Sequence, residues 1–366
     1  MKYLEARILK NVCTFQSTIQ TRPSERNGKL LKNGPRPLGT VLSMKTRRSV
    51  KRQHYVPQFY LQNFIKAHGY LFGYDKQNNQ MFCSDTESAA SLKYFYDLQV
   101  GPKRTQFIEK FFSTIEGFAA SDITQLADVL QSNAFSVLPT RSRGDLAMFI
   151  ALQYIRTLRA RQGVLEMVKK FAHRLGEIHL RLKFPDSPDP KFEIDVPQDK
   201  EALLHFKSLL EPSFIRELQW IVYNHIWTVL RNETNGTFCT SDHPVVLDRL
   251  ASLEEDQGYG IASKGVIVYL PLSPIYSLML LERRFFANFE PADGKLLVTR
   301  DLNKVDKMNL LQVQQSARHV FSAEDNLQFA VTVCDTHPEL RHPSNRVQIE
   351  EVALSDDTTI LRIHQE

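Results

Sequence analysis

The alternation of apolar and polar positions organises the chain from about residue 54 onward. Pro57 suits the first turn of a helix, and Tyr60, Leu61, Phe64 and Ile65 then share one face, which predicts a short helix over 57–66. "GYLFGYD" at 69–75 and "QMFCS" at 80–84 alternate with a period of two across a polar tetrapeptide and predict a β-hairpin. Phe107, Phe111, Phe112, Ile115, Phe118 and Ala119 recur at helical spacing and predict a helix over 104–131. A second long helical run covers 142–183, and "DKEALLHFKSLLEPSFIRELQWIVYN" adds one or two helices, with Pro212 a kink or break.

After Asn224 the pattern shortens into β-rich runs: "IWTVLRN", "GTFCTSD", "HPVVLD", "GVIVYLPL" and "YSLMLLE". A helix is predicted over 303–317, and "QFAVTVC" and "TTILRIH" read as late strands. A hairpin, then helices, then strands is the order of an α+β fold, not of alternating βαβ units. The expectation is a central helical bundle packed on one mainly antiparallel sheet, forming a single domain over 44–366. No internal repeat is visible.

Charge changes the picture only at the N-terminus. Residues 1–53 carry 13 Lys and Arg against two acidic residues, leaving 33 basic and 39 acidic residues in the rest of the chain. The net charge of +5 therefore belongs to the leader, and the body lacks the basic balance of a nucleic-acid binder. Residues 1–43 read as a flexible basic extension, and Met44 is a candidate start of the compact protein. A hydrophobic content of 42% argues against disorder in the remainder. No apolar run approaches the roughly 20 residues that span a bilayer, and the four scattered cysteines form no CxxC pair, so a cytoplasmic protein without membrane partners is expected.

"HYVPQFYLQNF", "FFSTIEGFAA", "FIALQYIRTLRAR", "FCTSDHPVV", "YLPLSP" and "NLLQVQQSARHVFS" follow one another in an order that resembles the domain of unknown function 4238 family over about residues 52–325. The resemblance implies no established reaction. His54, Gln58, Glu116, Gln153, Arg156, Arg159, Ser241, Asp242 and Pro244 match the family's recurring polar pattern. Leu158 departs from it, standing where similar sequences often have proline, which implies a straighter helix here.

The chemistry of these residues can be weighed on its own terms. His54 stands beside the expected helix N-terminus, where free N–H groups favour an anion, and could act as acid or base near neutral pH. Equally it could cap the helix or bond a buried carbonyl. Tyr55, Phe59 and Tyr60 read as core more readily than as a base-stacking platform. Glu116 sits in an apolar helix face and needs a partner, for which Arg156 on the next helix is suited. Gln153, Arg156 and Arg159 share that next helix's face and form either a tie between helices or a pocket for phosphate or carboxylate groups. Asp242 could orient His54 or hold a divalent metal with His54 and Glu116, although no tight ligand spacing supports a metal; Ser241 could bind substrate or only cap a turn.

No phosphate-binding loop, dinucleotide fingerprint, kinase set, serine-hydrolase elbow or zinc-deaminase motif occurs. Two readings remain. One is a hydrolase of a phosphodiester or nucleotide, or of nucleic acid, with His54, Glu116 and Asp242 catalytic and Gln58, Gln153, Arg156, Arg159 and Ser241 on the substrate. The other is a non-catalytic binding or sensor protein whose polar cluster is a structural core. A divalent metal is the one cofactor these residues leave open, and the sequence indicates no oligomeric state.

Overall fold

The computed structural model describes residues 50–66, 69–100, 103–131, 140–184, 192–249, 260–342, 347–355 and 358–365. The expected basic extension and the candidate start at Met44 lie outside these residues. The fold is α+β with predominantly antiparallel sheets.

Strand β1 (Arg52–His54) pairs with β4 (Ser91–Lys93), placing His54 opposite Ser91. Between them lie the four-residue helix α1 (Gln58–Leu61), extended by a 3-10 turn to Phe64, and the hairpin β2 (Leu71–Asp75) to β3 (Gln80–Ser84). The hairpin closes as the sequence predicts. The Asp75 carboxylate accepts from the amides of Gln77 and Asn78 at 3.1 and 3.2 Å, and Asn79 takes the left-handed φ of 51°. Gly73 faces Phe82 across the hairpin, and a Cβ there would stand 2.4 Å from the ring.

A second ribbon, β5 (Leu98–Val100) with β6 (Lys103–Thr105), leads into the helices α2 (Phe107–Gln131), α3 (Thr140–Ile155), α4 (Leu158–Lys183), α5 (Gln198–Leu209) and α6 (Pro212–Tyr223). Pro212 starts α6, so the expected break is there. The run over 142–183 is not one straight helix. Thr157 adopts an extended conformation and its hydroxyl accepts from the Ala160 amide at 3.3 Å, ending α3 and capping α4.

Strands β7 (Ile226–Asn232), β9 (Val246–Arg249), β10 (Val266–Pro271), β11 (Tyr276–Leu281) and β12 (Lys295–Thr299) form a five-stranded sheet in the order β12-β7-β11-β10-β9, parallel only at β12–β7. Alternate residues enter two cores. Trp227, Val229, Val266, Val268, Leu278 and Leu280 join the helical middle of the chain, while Ile226, Leu230, Ile267 and Leu281 meet Val305, Met308 and Leu311 of helix α7 (Leu302–Gln315). The continuous apolar runs of β7 and β10 follow from this, because both of their faces are covered.

The late strand β13 (His319–Ser322) pairs with β2 and with the two-residue β8 (Thr240–Ser241), giving a separate sheet β3-β2-β13-β8. Two larger sheets therefore replace the single one expected. "QFAVTVC" is not a strand but helix α8 (Gln328–Thr336): Leu327, Ala330 and Cys334 form a buried stripe at helical spacing, which outweighs the period-two pattern of Phe329, Val331 and Val333. "TTILRIH" does form a strand, β15 (Thr358–Gln365), paired with β14 (Val347–Ser355).

Candidate functional site

An open cleft of about 490 Å³ lies where β1, α1 and α2 meet, lined by Val50, Arg52, His54, Gln58, Phe59, Glu87, Glu109 and Glu116. His54 ends β1, and its Nε2 lies 2.9 Å from the Glu87 carbonyl oxygen. A carbonyl only accepts, so Nε2 carries the proton and Nδ1 keeps the lone pair, with the Gln58 side-chain amide 3.5 Å away. Burial lowers the His54 pKa, outweighing the raising effects of the Glu87 carbonyl and the Glu116 charge. The ring is therefore neutral near pH 7.

The backbone that presents His54 is fixed from behind by α3. Gln153, fully buried, donates to the Tyr55 carbonyl at 2.9 Å, and Arg156 Nη2 donates to the His54 carbonyl at 2.6 Å. Arg156 Nη1 meets Glu116 Oε1 at 2.7 Å, and the guanidinium stacks 4.5 Å from the Phe112 ring centroid. The tie expected between Glu116 and Arg156 is thus present, with Arg156 only 3% exposed and Glu116 26%. Burial opposes the Arg156 charge, but the Glu116 carboxylate leads the effects that hold its pKa up.

Several sequence expectations require correction. Helix α1 has four residues and Pro57 as its N-cap, too short to supply an anion site beside His54. Tyr55 and Tyr60, by contrast, are buried as the core reading expects; Tyr60 donates to the Pro271 carbonyl at 2.6 Å, and only Phe59 of the three aromatics reaches the cleft. Gln153 and Arg156 brace the chain and do not line the cleft, and Arg159, in the first turn of α4, does not line it either.

Asp242 does not orient His54. Its Oδ1 accepts from the Ala317 amide and its Oδ2 from the amides of Arg318 and His319, each at 2.8 Å, so this buried carboxylate ties the β8 turn to the link between α7 and β13. Ser241 is equally internal, donating to Gln312 Oε1 at 2.7 Å. Pro244 supplies the carbonyl that accepts from Gln312 Nε2 at 2.9 Å. His319 stands between Asp242 and Asp75, with ring nitrogens 3.9 and 3.8 Å from their carboxylates, and Arg318 grips Asp75 at 2.6 Å. Among the described residues no group of three or more His, Cys, Asp or Glu side chains is placed to hold a metal ion, so the set His54, Glu116 and Asp242 does not form one.

Sequence reasoning passed over Arg52, Glu87 and Glu109. The signal for Glu109 was its spacing: seven residues before Glu116, it falls two turns away on the same face of α2. Burial, with help from the charges of Glu116 and Asp97 and against that of Arg156, pushes its pKa up to about 7.

A polar cleft lined by a histidine and three glutamates, set beside an α+β core, is the class of site this fold defines. The chain belongs to the DUF4238 family: the family model, described as "Protein of unknown function (DUF4238)", matches residues 52–326. No curated protein and no solved structure matches it. No helix among the described residues is long and apolar enough to cross a membrane.

Proposed function

We propose that the protein is a hydrolase that works by acid–base chemistry in this cleft, on a phosphodiester or a nucleotide, with His54 as the base. The observation that carries the reading is the state of the His54 ring. Its Nε2–H is engaged by the Glu87 carbonyl, burial lowers its pKa and so favours the neutral ring, and its Nδ1 lone pair meets no closer donor than the Gln58 amide at 3.5 Å, in a residue that lines an open cleft. Gln58 steadies the ring, and the Glu116–Arg156 pair holds the backbone that carries it.

Substrate charge is met in the cleft by Arg52, an exposed lining side chain whose Nη1 donates to Ser88 Oγ at 3.0 Å. Glu87, Glu109 and Glu116 line the same cleft, so a singly charged diester suits the site better than a doubly charged monoester. A cytosolic setting accompanies this reading, since Cys83, Cys239 and Cys334 are free thiols. The test is hydrolysis of bis(4-nitrophenyl) phosphate and of a nucleotide panel by the full-length protein and by His54→Ala. Turnover by the parent that is lost in the variant supports the reading; equal turnover by both rejects it.

A second reading, a non-catalytic binding protein, is favoured by the internal bonding of Gln153, Arg156, Ser241 and Asp242. It gains if nucleotides raise the melting temperature but are recovered unchanged.

A further inference from the structure

We propose that Glu109 is the proton donor of this cleft and the partner of His54, so that the site takes esters whose leaving oxygen needs a proton to depart. The inference rests on the hydrolytic reading and adds its second proton-transfer group.

Two glutamates on one face of α2 reach the same cleft in different states. Glu116 is held as a carboxylate by Arg156. Glu109, one helical step of seven residues earlier, receives no hydrogen bond to its carboxyl group from any described residue; its backbone carbonyl alone is engaged, by Ser113 Oγ at 3.0 Å. The groups around it are Glu116 on its own helix, Arg156 at the end of α3, and Asp97 in the turn before β5. His54 and Arg52 of β1 and Glu87 of the loop before β4 line the same cleft. Asp97 Oδ1 accepts from Gln53 Nε2 at 2.6 Å and from Gln106 Nε2 at 2.9 Å. Burial first, then the Glu116 and Asp97 charges, outweigh the Arg156 guanidinium and push the Glu109 pKa up to about 7, so the carboxyl carries its proton in a good fraction of molecules at neutral pH.

A neutral imidazole and a protonated carboxyl in one cleft are the two forms that hydrolysis requires. Water attacks phosphorus while His54 Nδ1 removes its proton. The bond from phosphorus to the leaving oxygen breaks with its electron pair on oxygen, and the Glu109 proton neutralises that oxygen as it departs. A phosphomonoester and an alcohol leave, and the imidazolium returns its proton through solvent to the Glu109 carboxylate. One water is consumed and both groups are restored.

The test uses Glu109→Gln, which keeps the shape and removes the acidic proton, in the full-length protein. Two diesters are compared: bis(4-nitrophenyl) phosphate, whose phenolate leaves unaided, and a dinucleoside monophosphate, whose alkoxide does not. The expected loss is about 100-fold or more on the dinucleotide and less than about threefold on the nitrophenyl ester. Equal losses on both, or no loss on the dinucleotide, overturn the inference and leave the hydrolytic reading standing. No turnover of either diester by the parent overturns both. A ¹³C-carboxyl NMR titration gives a readout without substrate. The resonance missing from Glu109→Gln should titrate near pH 7, and a midpoint near 4 would mean no proton to donate, which overturns the inference whatever the activity.

Discussion

Nη1 of Arg156 lies 2.7 Å from Oε1 of Glu116, and the same guanidinium holds the carbonyl of His54 at 2.6 Å through Nη2. One buried cation thus joins α2, α3 and the strand that carries the candidate base. Arg156→Ala strands the Glu116 carboxylate and frees the His54 carbonyl together. Because Glu116 keeps some contact with water, the cost is expected at about 3 kcal/mol, the lower end for a broken buried pair. A thermal melt unchanged from the parent would reject the structural role of the pair.

His54→Ala separates chemistry from packing. The Arg156 bond to residue 54 uses the backbone carbonyl and survives the substitution, so the losses are the half-buried ring, its bond to the Glu87 carbonyl and its contact with the Gln58 amide. Stability should change by no more than about 1 kcal/mol while turnover of a phosphodiester disappears. Activity persisting in a well-folded variant, or a large drop in melting temperature, would return His54 to a structural role.

Much of this arrangement is legible in the sequence, for reasons that differ by element. Long runs at helical spacing announced α2 and α7, and an alternating pair around a polar turn announced β2–β3, because both periods are set by which face is buried. The three-residue strands β1, β4, β5 and β6 are too short to show a period at all. The break at Thr157 was hidden because the apolar pattern runs through it, and a capping hydroxyl leaves no gap. In the site, a carboxylate on an apolar helix face that needs a cation from the next helix sufficed to pair Glu116 with Arg156. Asp242 was misread because "TSDHP" looks like an exposed turn, whereas three backbone amides arriving from a segment some 75 residues later bury it.

That origin makes Asp242 a stability determinant. In Asp242→Asn, one acceptor oxygen becomes an amide nitrogen facing N–H groups of the 317–319 segment, so at least one buried donor loses its partner. The expected cost is about 3 kcal/mol, from charge-assisted bonds lost and a donor left unpaired. Chemical denaturation should show the loss, while activity per folded molecule stays at the parental level. A variant as stable as the parent but inactive would put Asp242 back among the catalytic groups.

His205 should make the fold sensitive to acid. Its ring is fully buried on α5, where Nε2–H donates to the Ile155 carbonyl at 2.7 Å and Nδ1 accepts from Arg161 Nε at 3.3 Å. Burial first, and the Arg161 charge second, lower its pKa to about 3. Unfolded chains bind this proton below the ordinary value of about 6.5, whereas the native state refuses it until about pH 3. The contribution is therefore complete above pH 6.5 and declines as pH falls toward 3, at about 1.4 kcal/mol for each pH unit. His205→Gln can keep both hydrogen bonds without the titration. Urea unfolding at a series of pH values should show the parent losing about 2 kcal/mol more than the variant between pH 7 and pH 5. Carboxylate titrations common to both proteins cancel in that difference, so parallel curves would mean that His205 is not held neutral in the native state.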